Sequence, residues 1–536
     1  MPAPVNRRGF ITSSLPLGAA LGGLSAAPAA HAAVAASKAP APETLDIAAL
    51  QAEMAAGRLN SVALTRHFLR RINAIDRRGP GLNSVIELNP DALAQAKALD
   101  AERKTRLRGP LHGLPLLIKD NIASADRMST TAGSLALAGL HAKADAALLQ
   151  RLREAGAVIL GKTNLSEWAN IRSTRSSSGW SSRGGQTRNP YALTRSPSGS
   201  SSGSAVAVSA GLCVAAVGTE TDGSITSPAS RCGIVGLKPT VGLVSRHGVI
   251  PIAASQDTAG PMTRSVRDAA LMLSVLAGAD AQDSATAAAP ATLPDYAAAL
   301  RSDALQGARI GIIRAAQPPQ PQVVALFEEA LAVLRAQGAV LVDELQIPER
   351  TRYADTELTV LLAELKDGLA KYLVEFQPDA PFQDLQGLIA WNLAHAKEAM
   401  PFFDQELFLK AQDGGDLQSA EYLKALETNQ RYSRREGLDA LFAEHRLDAV
   451  VGPSGNLPWR VDHLLGDFPG RGGMSSPFAV SGYPHITVPM GLVAELPAGL
   501  SFGALAWQEP RLLGLAYAYE QASQRRRAPK FLLDVG

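Results

Sequence analysis

The chain has 536 residues, 46% of them apolar, and 52 basic residues stand against 50 acidic ones for a formal net charge of +2. That length holds one large domain or two to three ordinary ones, and the apolar share suits a soluble globular protein. The charge balance gives no electrostatic case for nucleic acid or an anionic membrane as main partner, and basic runs such as Arg525-Arg526-Arg527 read as solvated faces.

Residues 1–32 read as a twin-arginine signal peptide. Asn6-Arg7-Arg8-Gly9-Phe10-Ile11 carries the paired arginines, a weakly apolar run follows from Phe10 to Pro28, and Ala30-His31-Ala32 supplies the small-x-small cleavage pattern. Pro16 and several glycines interrupt that run, which is too short to span a bilayer stably. The expectation is export in the folded state to the periplasm or beyond, with no stable membrane association. Residues 33–43 form an Ala/Pro linker ahead of a body at 44–536.

Thr44 is placed to cap a helix that runs to Ala56 and stops at Gly57. Ser61 starts a second, with Leu64, Phe68, Ile72 and Ile75 on one stripe, and Asp91 caps a third. These helices are expected to cover the body. From Leu111 the pattern changes. Leu114–Ile118, Ala157–Leu160 and Val214–Gly218 read as strands, with helices at Asp145–Ala155 and Ser204–Gly211 between them. Such alternation predicts an α/β fold with a sheet sandwiched between helices. Ala279–Pro294 reads as a surface loop, Arg309–Ile313 and Val340–Leu345 as strands around a helix at Val323–Gln337, and residues 350–447 as mostly helical. Ala449–Val451 and His485–Pro489 return to strand patterns, and no internal repeat is found.

Two short motifs mislead. Gly156-Ala157-Val158-Ile159-Leu160-Gly161-Lys162-Thr163 fits the phosphate-loop formula, but its four intervening residues make a buried strand rather than a loop around phosphates. Gly199-Ser200-Ser201-Ser202-Gly203 fits the nucleophile-elbow formula, but polar, proline-broken residues precede it where an apolar strand is required. Cys213 and Cys232 are too few for a disulfide framework or a zinc site. They read as buried free thiols, although export would permit a bridge.

One constellation survives these exclusions. Two Ser/Gly-rich segments, Ser198 to Ser204 and Thr219 to Ile225, offer hydroxyls beside backbone N–H groups that can turn toward one point, as acyl transfer requires. About 80 residues upstream, Lys119 ends an apolar run and precedes Asp120 and Asn121. Desolvation lowers the pKa of such a lysine, which makes it a candidate base. Lys119, Ser200 and Ser224 are therefore the candidate catalytic residues.

The stretch from Gly113 to Ala229 resembles the amidase signature family. The matching blocks are Gly113–Asn121, Gly161–Glu167, Gly199–Ser204, Thr219–Ile225 and Cys232–Thr240, in the family's order and spacing, with weaker similarity through Ser481–Gly491 to the end. The signature core spans about 111–270. The resemblance implies one large domain with a twisted mixed sheet, no metal and no cofactor. It makes Ser224 the nucleophile, Ser200 (on a cis peptide bond) the proton carrier and Lys119 the base. Backbone N–H groups of Thr221, Asp222, Gly223 and Ser224 would form the oxyanion hole, and Ser201 would support the loop. Glu220, Asp222 and Thr226 depart from the common family form. Glu220–Ser224, and Val241–Arg246 with Pro251–Thr263, point to the branch that releases ammonia from C-terminally amidated peptides, with a broader aryl or aliphatic amidase as the alternative within the family. The Asp222 carboxylate is expected to turn away from the oxyanion pocket. A tRNA-linked amidotransferase component fits poorly with an export signal, and an exported binding protein without catalysis fits poorly with an intact triad.

Overall fold

The structure, a computed structural model, describes residues 41–348 and 350–535, so the expectations for the leader and for linker residues 33–40 lie outside it. The described residues fall in one compact unit. Its strands are Val85–Leu88 (β1), Pro115–Lys119 (β2), Val158–Thr163 (β3), Trp180–Ser181 (β4), Gly185–Gln186 (β5), Ala215–Glu220 (β6), Val235–Lys238 (β7), Thr258–Thr263 (β8), Arg309–Ile313 (β9), Val340–Leu345 (β10), Ala449–Pro453 (β11), His485–Val493 (β12) and Leu496–Gly503 (β13). Eleven of them form one sheet in the order β1-β3-β2-β6-β8-β7-β12-β13-β11-β9-β10, and β4 pairs with β5. β2 runs parallel to both β3 and β6, and β9 parallel to β10 and β11, while the other neighbours are antiparallel. The sheet is mixed, and it reaches well past the signature core.

β2, β3 and β6 are buried along their whole length, as strands covered on both faces must be. Because β2 and β6 are parallel neighbours, with Ile118 opposite Val217, their carboxyl ends emerge side by side. That edge of an open α/β sheet is where ligands usually bind. The short helix Ser202–Ser209 that follows the Ser/Gly loop is buried at every residue, and its small side chains let it sit close against the sheet.

Two of the N-terminal caps differ from expectation. Asp46 caps Ile47–Ala55 by accepting from Ala49 N, because the proline at the head of Pro42–Thr44 tightens that segment into a separate 3₁₀ turn. The second helix starts at Ser61 as expected, with Asn60 as its cap, and the Ser61 hydroxyl donates to Gly113 O at 2.7 Å. Asp91 makes no cap bond to Ala92–Glu102 and pairs with Arg127. These helices are also more than a cover, since Ile47, Leu50, Leu64, Phe68 and Ile72 belong to the main apolar core. The surface loop at 279–294 contains a 3₁₀ turn, Ser284–Ala288.

Four sheet strands have no clear sequence signal: β1, β7, β8 and β13. β8 carries Gly260 and Pro261, and β13 carries Pro497 and Gly499, residues that argue against a strand when only local pattern is available. Gly260 is required by its neighbour, because a Cβ there would run into the carbonyl oxygen of Leu237.

Candidate active site

Lys119 is the last residue of β2 and is completely buried. Its Nζ lies 2.8 Å from Ser200 Oγ, 2.8 Å from Thr219 Oγ1 and 3.3 Å from Thr219 O. Burial pushes the ammonium down to about 7, against the opposing pull of the Asp257 and Glu220 carboxylates. Asn121 Nδ2 donates to the same Thr219 hydroxyl at 3.0 Å, so Thr219 on β6 fixes the lysine from the neighbouring strand.

The Gly199–Ser200 peptide bond is cis. Gly199 is packed so closely that a Cβ would overlap Ser166 Oγ, and Ser166 N donates to Ser200 O at 3.1 Å. Ser201 Oγ donates to Thr219 O at 3.0 Å and accepts from Thr219 N at 3.1 Å. That side chain is committed to the backbone of β6, which separates it from the role that the elbow formula would give it.

Ser224 lies on the turn after β6, where Gly223 takes φ +77°. The Ser224 side is tied to the Ser/Gly loop by Ser201 N donating to Ser224 O at 3.1 Å, and by the Ser198 and Ser227 hydroxyls 2.8 Å apart. Among the described residues no hydrogen bond joins the Ser200 and Ser224 side chains, and the N–H groups of Asp222, Gly223 and Ser224 have no backbone acceptor. The structure thus joins Lys119 directly to Ser200, and brings Ser224 alongside through the backbone.

Two family departures acquire a physical reason. Glu220 Oε2 accepts from Ile225 N at 2.7 Å and Thr226 N at 2.8 Å, and the Thr226 hydroxyl donates to the same oxygen at 3.2 Å. The glutamate folds back over the turn and holds the two N–H groups that follow Ser224. The Asp222 carboxyl meets the Glu357 carboxyl of the helix Ala354–Phe376. Sequence reasoning missed Thr219, Gln256, Asp257 and Glu357. Asp257 accepts from the Thr221 hydroxyl at 2.5 Å and from Ile252 N and Ala253 N at 2.8 and 2.9 Å. Thr219 lies inside one of the blocks that match the family, Gln256 and Asp257 lie inside Pro251–Thr263, and nothing local marks Glu357.

Lys162 sits on strand β3 and donates to Ile122 O and to Thr130 Oγ1, so the phosphate-loop formula describes no loop here. Cys213 and Cys232 are buried free thiols. Between β11 and β12, the Asp467 carboxylate holds Ser178 N at 3.1 Å and Trp459 Nε1 at 3.0 Å. Arg231 stacks on Trp459 at 5.0 Å, and the Phe402 and His463 rings stack at 4.2 Å. This loop leaves Leu464, Leu465 and Phe468 exposed.

The Amidase family model matches residues 63–513. This chain belongs to the amidase signature family. It is 52% identical to the native peptide amidase of Stenotrophomonas maltophilia, with a TM-score of 0.87 over 91% of this chain and 98% of that one. It is 42% identical to a probable amidase of Arabidopsis thaliana over 89% of each chain. It is 39% identical to a putative amidase of Arthroderma benhamiae, over 89% of this chain and 81% of that one. The protein is an amidase-family hydrolase. Among its described residues no helix is long and apolar enough to cross a membrane.

Proposed function

We propose that the protein hydrolyses the C-terminal carboxamide of peptides to the free acid and ammonia through a Ser224 acyl-enzyme. The observation that carries the reaction is the buried Lys119 amine, 2.8 Å from Ser200 Oγ at the mouth of two parallel strands. A neutral amine has two N–H bonds to give, and the Thr219 carbonyl and hydroxyl oxygens are there to take them. Its lone pair then faces the Ser200 hydroxyl. As Ser224 Oγ attacks the carbonyl carbon, its proton passes to Ser200, and the Ser200 proton passes to Lys119. The oxyanion meets the N–H groups of Thr221, Asp222, Gly223 and Ser224, where one donor is worth about 2.7–4 kcal/mol in a hydrolase. Collapse breaks the C–N bond, and the proton returns through Ser200 to the departing nitrogen, which leaves as ammonia. Water then takes the place of Ser224 in the same proton path and releases the acid.

The peptide preference is supported by the likeness to the Stenotrophomonas enzyme and by the exposed Leu464, Leu465 and Phe468 on the loop tied to Ser178, which suit apolar side chains upstream of the carboxamide. The twin-arginine pattern supports export ahead of this chemistry. The test is ammonia release from matched peptide amides, free amino-acid amides and aryl anilides. A preference for peptide amides is expected. Equal or better turnover of the small amides would replace this reading with a broader amidase.

A further inference from the structure

A second group of polar side chains stands on the nucleophile turn, outside the triad. Gln256 is 1% exposed, and its Nε2 donates to Thr221 O at 3.3 Å and to Glu357 Oε1 at 2.9 Å. Thr221 O can only accept, so the amide orientation is settled, and Gln256 Oε1 is left buried with no protein partner. The Glu357 carboxyl hydrogen-bonds the Asp222 carboxyl, and Asp222 Oδ1 is likewise buried without a partner. Burial first, and then the Asp222 charge, raise the Glu357 carboxyl, which favours the form that gives a hydrogen to Asp222. The charged and titratable groups beyond the pair are Glu220 and Lys238, each within electrostatic reach of Asp222.

The remaining oxygens, Asp222 Oδ1 and Gln256 Oε1, are acceptors that water-free surroundings leave costly until an N–H donor arrives. Asp222 is two residues from Ser224, a span of about 7 Å or less along the backbone. We infer that Asp222 and Gln256, with Glu357 holding Asp222 in place, receive the leaving nitrogen of the carboxamide. This rests on the amide-hydrolase reading above and adds the group that selects the leaving atom. A carboxamide nitrogen donates two N–H bonds, and it gains positive charge as the proton comes back through Ser200 and the C–N bond breaks. A negative acceptor therefore strengthens its contact on the way to the transition state. The backbone N–H upstream of the carbonyl is a second donor close to the scissile bond, but it gains no charge in the reaction. An ester oxygen gives these acceptors no hydrogen at all.

The experiment compares kcat/KM for a peptide amide and for the methyl ester of the same peptide, which forms the same acyl-enzyme. Glu357→Ala and Asp222→Asn should each lower the amide-to-ester ratio about 10- to 100-fold, the effect of one charge-assisted hydrogen bond. Glu357→Gln, which still presents hydrogen to Asp222, should keep the ratio within about threefold of the parent. Equal losses on amide and ester would reduce the cluster to a support of the turn and overturn the inference, as would an unchanged amide rate. A substrate methylated on the upstream nitrogen separates the two N–H sources. If the variants no longer differ from the parent on it, the contact belongs to the upstream nitrogen and the assignment is wrong. If the parent cleaves small amides rather than peptide amides, the peptide reading fails, and the same comparison on a small amide and its ester still decides the cluster.

Discussion

The pH dependence of the reaction follows from where β2 delivers its last side chain. Lys119 Nζ has no solvent around it, and burial brings its pKa from 10.5 to about 7. At pH 7 an unshifted lysine would be neutral in roughly 1 molecule in 3,000, whereas at about 7 half of the molecules carry the free base, a gain of roughly a thousandfold. The sign is then fixed, because the neutral form is the working one: activity rises with pH and levels off above the lysine pKa. Lowering the pH from 7 to 5 should take the neutral fraction from about one half to about one hundredth, so kcat/KM falls roughly 50-fold. Ammonia release from a peptide amide across pH 5 to 9 measures this directly. Lys119→Ala should lack the break near neutrality and recover only as hydroxide replaces the base at high pH. A parent profile with no break between about pH 6 and 8, or the same break in Lys119→Ala, would refute a lysine base.

Three further outcomes are expected. Ser224→Ala should lose about ten-thousandfold or more in amide turnover while keeping its fold, and a fluorophosphonate should label the parent at Ser224 and leave the variant unlabelled; near-normal turnover would remove Ser224 from the nucleophile role. Asp257→Asn deletes a charge that favours the Lys119 ammonium, so the break in kcat/KM should move to lower pH, and a break that stays or rises would mean that this charge does not act on the lysine. Glu220→Ala strands the buried N–H groups of Ile225 and Thr226 and removes a buried countercharge of Lys238, a loss of about 3 kcal/mol or more, whereas Glu220→Gln keeps an acceptor and should lose less. Urea unfolding of the two variants beside the parent checks the order.

The sequence by itself determined the elements that local chemistry can specify. Apolar runs of strand length marked β2, β3 and β6 to within a few residues, and the Ser/Gly segments marked loops that bring hydroxyls and N–H groups together. Lys119 was legible because it closes one of those runs, and Ser200 and Ser224 because they sit in long blocks at a family spacing. The first helix cap lies two residues from its expected position, at Asp46 rather than Thr44, since Ser, Thr, Asp and Asn compete for such positions at nearly equal energy and tertiary partners decide among them. β8 and β13 were invisible because Pro261 and Pro497 read locally as strand breakers, and because Gly260 and Gly499 are required by neighbouring groups that only the assembled sheet supplies.

What the tertiary structure alone decided is the environment of the charges. Thr219 reaches Lys119 from the adjacent strand, Gln256 reaches Thr221 from 35 residues along the chain, and Glu357 meets Gln256 from a further 101. Asp257 holds Thr221 from 36 residues along the chain. Hydrophobic pattern and turn chemistry act between residues a few positions apart and can be read in order. Desolvation and charge pairing act through space, so the Lys119 ammonium is lowered and the Glu357 carboxyl raised only once the fold has removed water from around them.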